Sequence, residues 1–218
     1  VLGFCGVETT SFAALLADVA PRDQLEARLL AAERRNLGHY GFGIKGFMLS
    51  MIETALDVTG DRVPARVIRE IVAAGQEMLA HPIELLPHAR AAVELLAESH
   101  PLLLITKGDL IDQERKLAQS GLGDLFAGVE IVSDKSAPVY AAIFARRGLA
   151  PASVLMAGNS LRSDVLPVLE VGGFGVHVPH DLTWALEEVE APDGHARFHR
   201  LSDLGALPAL VEQIENSG

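Results

Sequence analysis

Cysteine is almost absent from this chain: Cys5 is the sole thiol in 218 residues. One thiol excludes an internal disulfide and a multi-cysteine zinc site, and nothing else in the sequence points to an oxidising compartment. Positive charge is also short, with 18 Lys and Arg against 29 Asp and Glu, a net charge of -11 and a pI near 5.1. That balance repels phosphate backbones and argues against nucleic acid or an anionic membrane as a partner, while leaving room for a locally basic pocket. Long apolar runs are missing too. No segment approaches the roughly 18 residues a membrane helix needs, and no basic-then-apolar leader pattern opens the sequence. A cytoplasmic location is expected. There is no internal repeat, low-complexity tract or long block of one charge.

What the chain does have is apolar content: 49% of residues are hydrophobic, enough for a sizeable core. The length is long for one compact domain and short for two, which predicts a core with an insert. Short apolar runs ending in small or polar residues recur at Val1–Val7, Pro101–Gly108, Gly128–Ser133, Ser153–Ser160 and Gly172–Pro179. Such runs suit strands buried on both faces of a parallel sheet. Helix-like stretches at Leu110–Ser120, Ala137–Arg147 and Ser163–Val171 lie between the later ones, giving a βαβα alternation.

Almost a hundred residues separate the first two runs, and that interval reads as helical. The expected helices are Ala13–Ala17, Arg22–Gly38, Phe47–Thr59, Pro64–Ala80 and Pro87–Ser99. Pro21 and Pro64 suit first turns, Gly38 and Gly60 suit stops, and Gly41, Gly43 and Gly46 make a glycine-rich joint. The expected organisation is a core from residues 1–12 and 86–218, with a helical cap over 13–85. In open parallel sheets, ligands sit at the carboxyl ends of strands, so the residues just after each run are the candidates.

Those residues resemble the haloacid dehalogenase-like (HAD) superfamily, whose motifs follow successive core strands and whose cap is inserted after the first. The resemblance spans nearly the whole chain and implies an α/β fold, a Rossmann-like core with a parallel sheet and an inserted helical cap. Its first motif, D-x-D-x-T, carries the nucleophilic and acid/base carboxylates. The matching stretch here is Phe4-Cys5-Gly6-Val7-Glu8-Thr9, so Cys5 and Val7 stand in the places of that Asp pair.

The second motif matches Thr106, a hydroxyl for the phosphoryl group, and the third matches Lys135, its neutralising cation. The fourth matches Gly158–Asp164, with Asp164 as metal ligand and Asn159 where another Asp often stands. Within the superfamily the chain looks most similar to the helical-cap phosphatases and dehalogenases, and Ala32–Leu37, Ile105–Asp109 and the Gly158–Asp164 loop resemble a bacterial subgroup of HAD-like hydrolases of unassigned activity.

The resemblance therefore implies a HAD-like hydrolase, or phosphatase-like protein, with a degenerate and catalytically impaired first motif that retains a pocket for a small phosphorylated metabolite. An active phosphatase of small phosphate esters and an interaction protein with a vestigial site remain as alternatives. Magnesium is expected to bind weakly, because Asp164, the Val7 carbonyl and Asn159 are poor replacements for two carboxylates, and a thiolate is soft.

Cys5 is either an activated nucleophile or a small buried residue; no Arg stands six positions on, where a cysteine-phosphatase loop would have it. Glu8 is either a substitute base or a turn carboxylate. Thr106 and Lys135 face ligand or are a strand-end hydroxyl and a solvated lysine. Lys107 is an extra anion contact or a surface residue, as is Arg162. Tyr40, Phe42, Lys45 and Phe47 flank the glycine-rich joint as a substrate-reading lid or as packing. No H-E-x-x-H spacing occurs, so no zinc site is expected, and His177, His180, His195 and His199 read as surface or strand-end residues. A homodimer is permitted by the apolar content.

Overall fold

The computed structural model describes residues 12–180 and 189–217. The Val1–Val7 run, Cys5, Val7 and Glu8 lie outside them. The chain divides into two units: one holds residues 12–82 and 107–114, the other 83–106 and the described part of 115–217.

The first unit is helical. Its helices α1 (Arg22–Tyr40), α2 (Ile44–Thr59) and α3 (Ala65–Ala80) bury apolar stripes at helical spacing: Leu25 and Leu29 on α1, Met51 and Ala55 on α2, Val67, Ile71 and Met78 on α3. Phe12, Ala13 and Leu16 join the same core. Burial of each such Leu or Ile contributes about 1.5–3 kcal/mol, much more than helix propensity does, so the stripe decides the packing. The close approach of α2 to α3 runs through Gly75, where a Cβ would meet Met48 Sδ at 1.9 Å.

Two expected boundaries differ. Gly38 lies inside α1, which continues to Tyr40 and stops at Gly41 with φ 70°, because Gly41 and then Gly43 (φ 130°) adopt the backbone that only glycine takes freely. Pro21 and Pro64 are the residues preceding the first helical turn rather than members of it. Gly60 ends α2 in the left-handed conformation, as its position predicted.

The second unit is α/β. After α4 (Ala89–Ala97) come β1 (Leu103–Lys107), α5 (Leu110–Ser120), β2 (Gly128–Val132), α6 (Ala137–Arg146) and β3 (Leu155–Gly158). A π-turn at Leu161–Val165 leads into α7 (Leu166–Glu170), then β4 (Phe174–His177), β5 (Phe198–Arg200) and α8 (Leu207–Glu215). Among the described residues β1 pairs with β2, and β3-β4-β5 form a parallel sheet with Gly158 beside His177 and His177 beside Arg200. The last strand and last helix escaped the sequence reading.

Alternation along β3 explains the layering. Leu155 and Ala157 pack with Val176, Val178 and the apolar faces of α4 and α8. Val154 and Met156 pack instead with Tyr140, Ile143 and Phe144 of α6 and Val168 of α7. Strands apolar on both faces with helices on each side define a doubly wound α/β core. Among the described residues no helix is long and apolar enough to cross a membrane.

Candidate functional site at the strand ends

Lys135 follows β2 by three residues and Asp164 sits in the π-turn after β3. The structure brings them together: Lys135 Nζ donates to Asp164 Oδ1 at 2.6 Å, with 12% and 6% of their side-chain surfaces exposed. The loop that carries Asp164 is held at successive groups. Val178 N–H donates to Gly158 O at 2.9 Å. His177 Nε2 donates to Asn159 O at 3.1 Å, and Ser160 N–H donates to Asp164 Oδ2 at 3.1 Å. Ser160 Oγ then caps the turn by accepting from Ser163 N–H at 2.9 Å, and Tyr140 OH donates to Ser163 O at 3.0 Å.

Gly158 makes this arrangement possible. A Cβ there would lie 2.2 Å from Asp164 Oδ2, so the carboxylate occupies the space that a side chain would fill. Asp164 thus serves the loop as an internal acceptor, while the helical cap is supplied by Ser160.

Thr106 is partly buried near the end of β1. Lys107, the next residue, belongs to the helical unit, where its ammonium lies 3.7 Å from the centre of the Phe42 ring. Lys45 Nζ donates to Asp109 Oδ2 at 3.0 Å in the same unit, and that hydrogen bond leads the causes holding the Asp109 carboxyl below its usual range. Phe42 and Lys45 therefore engage the segment after β1 directly. Tyr40 instead donates to Glu53 Oε1 at 2.8 Å, and Asn36 Nδ2 reaches Glu53 Oε2 at 2.8 Å and Ser50 Oγ at 3.1 Å. Phe47 packs against the apolar core of the helical unit. Arg162 lies in the π-turn between Ser160 and Asp164.

Sequence reasoning treated the late histidines as surface or strand-end groups and so missed His177. It ends β4, but its ring reaches the neighbouring strand's loop, and its Nδ1 is buried without a partner among the described residues. Burial holds its pKa below the usual histidine range, with nearby Arg200 adding to the effect and the Asn159 carbonyl and Asp164 opposing it. His199 Nε2 is likewise buried and unpartnered, with its ring stacked on Phe174. His195 and His199 stand four apart in sequence, yet His199 is on β5 and His195 in the turn before it.

Comparison with known proteins identifies the lineage. A haloacid dehalogenase-like family hydrolase from Xanthomonas campestris is 40% identical, with a TM-score of 0.83 over 95% of this chain and 83% of that one. The chain belongs to the HAD-like hydrolase family. An L-2-haloacid dehalogenase from Xanthobacter autotrophicus with chloropropionic acid covalently bound shares the fold at 19% identity and TM-score 0.60, over 94% of this chain and 93% of that one. The HAD-hydrolase YfnB from Bacillus subtilis, bound to magnesium, does so at 15% and 0.61, over 94% and 92%. No family model and no curated protein matches the chain.

The family implies magnesium, and the described residues do not fit it. Among them no three His, Cys, Asp or Glu side chains converge. The carboxylate after β3, Asp164, gives one oxygen to an ammonium and the other to a peptide N–H. Magnesium requires hard oxygen donors in near-octahedral array, and an acceptor already used at both oxygens is a poor start.

Proposed function

We propose that this HAD-like chain binds a small phosphorylated metabolite at the carboxyl ends of β1, β2 and β3, and that its hydrolytic step is impaired. The observation that carries the reading is the buried Lys135–Asp164 pair. An ammonium has three N–H donors; one goes to Asp164, which leaves two that would meet phosphate oxygens. The Thr106 hydroxyl and the Asn159 side chain would add neutral donors.

Impairment rests on composition. Hydrolysis in this family proceeds through a carboxylate nucleophile, and the first motif has Cys5 and Val7 in the two carboxylate places, with Glu8 as the nearest acid. Dehalogenation would lose the same nucleophile. Magnesium, lacking those carboxylates, would bind weakly.

A second reading, a working hydrolase of small phosphate esters, is favoured by the 40% identity to a family hydrolase over 95% of the chain. Calorimetric titration with inorganic phosphate tests the binding reading. Uptake by the natural protein that falls at least tenfold in Thr106→Val supports it; no uptake, or equal uptake by the two proteins, contradicts it.

A further inference from the structure

We infer that His177 is a positioning residue of this site: its Nε2–H holds the Asn159–Ser160 peptide so that the peptide's N–H meets Asp164, which in turn aims Lys135. The inference rests on the reading of Lys135 as the phosphate-side cation, and its structural half stands without that reading.

One peptide unit links His177 to Asp164. The Asn159 carbonyl and the Ser160 N–H are its two ends, and rotation of the plane moves both. His177 Nε2 is 3.1 Å from the carbonyl end, and Asp164 Oδ2 is 3.1 Å from the N–H end. A donor on the carbonyl polarises the amide and strengthens its N–H, so the two bonds reinforce each other across the plane. The chain of contacts continues from Asp164 Oδ1 to Lys135 Nζ at 2.6 Å.

The fold fixes His177 tightly enough for this work. It sits beside Gly158 in the parallel β3–β4 register, and its own carbonyl accepts from Leu201 N–H at 3.0 Å. The carbonyl partner requires a proton on Nε2. Nδ1 is buried with no partner among the described residues, so a second proton there would add a buried N–H that none of them receives. Histidine thus supplies a single donor of fixed direction, where lysine would bring a charge and leucine would leave the carbonyl bare.

The test compares the natural protein with His177→Leu and His177→Gln, since glutamine places an N–H donor at similar reach. Two quantities are read: the amide proton shift of Ser160, which reports its bond to a carboxylate, and the affinity for inorganic phosphate. The inference predicts that H177L moves the Ser160 signal upfield and weakens phosphate binding about tenfold, as loss of groups that orient ligands does elsewhere. H177Q should return both close to the natural values.

A Ser160 signal unchanged in H177L overturns the inference, as does a moved signal with unchanged phosphate affinity. If the natural protein takes up no phosphate, the functional reading fails, and the Ser160 signal alone decides whether His177 holds the peptide. Should H177L not fold, the long-range proton–nitrogen spectrum of the natural imidazole decides: a proton on Nε2 supports the inference, and one on Nδ1 overturns it.

Discussion

Lys135 and Asp164 stand 29 residues apart in sequence and 2.6 Å apart in the fold, with both side chains nearly removed from solvent. The two come from loops after β2 and β3, strands of the two separate sheets among the described residues, so the contact links the β1–β2 pair to the β3–β4–β5 sheet.

Because the pair is buried, removing one partner leaves an uncompensated charge. Lys135→Met should destabilise the fold by about 3–5 kcal/mol, the usual cost of breaking a buried ion pair. Adding Asp164→Asn to it should recover a substantial part. Urea denaturation of the two variants checks this, and a double variant as unstable as K135M alone would count against mutual compensation.

The glycine at the end of β3 makes a separate prediction. Gly158→Ala places a Cβ 2.2 Å from Asp164 Oδ2 and 2.4 Å from its Cγ, so the carboxylate must leave its place. Phosphate affinity should fall as far as in a variant lacking the Asp164 carboxylate, which titration of G158A beside D164N would show.

Most of the fold was legible because buried strands and amphipathic helices leave periodic marks. The helix at Leu110–Ser120 has the bounds its apolar spacing predicts, and the runs at Pro101–Gly108 and Gly128–Ser133 hold strands Leu103–Lys107 and Gly128–Val132. What escaped had no such mark. Strand β5 is three residues, Phe-His-Arg, too short to show an alternation, and it pairs in parallel with β4.

The site was less legible. Motif spacing singled out Lys135 and Asp164 separately, but spacing says nothing of a 2.6 Å contact. His177 looked like any strand-end histidine, because its role depends on the β3–β4 register, which aligns it with Gly158. Gly38 misled for the opposite reason: a glycine in a polar stretch resembles a stop, while the next glycine, three residues later, has the positive φ.

The Tyr40–Glu53–Asn36 cluster predicts a pH effect on stability. Hydrogen bonds, first from Asn36 and then from Tyr40, hold the Glu53 pKa below its ordinary 4.5. A carboxylate with a lowered folded pKa adds stability that is fully present above its unfolded value and lost as pH falls through the folded one. The stability gap between the natural protein and Glu53→Gln should therefore be larger at pH 7 than at pH 3.5, as denaturation at the two values would show.

Magnesium should stabilise the chain little. A ligand at a hundred times its Kd raises folding stability by about 2.7 kcal/mol, which a melting curve detects easily. At millimolar Mg2+ no such gain is expected, and a clear rise in Tm would mean that the chain supplies oxygen ligands beyond those described.

The most direct test of the account is turnover of a panel of small phosphate esters with Mg2+, comparing the natural protein with Cys5→Asp/Val7→Asp. A silent natural protein and measurable hydrolysis by the variant are expected, since the two carboxylates would join the proposed phosphate site. Turnover by the natural protein that disappears in Cys5→Ser would contradict the account and make this chain an enzyme with a thiol nucleophile.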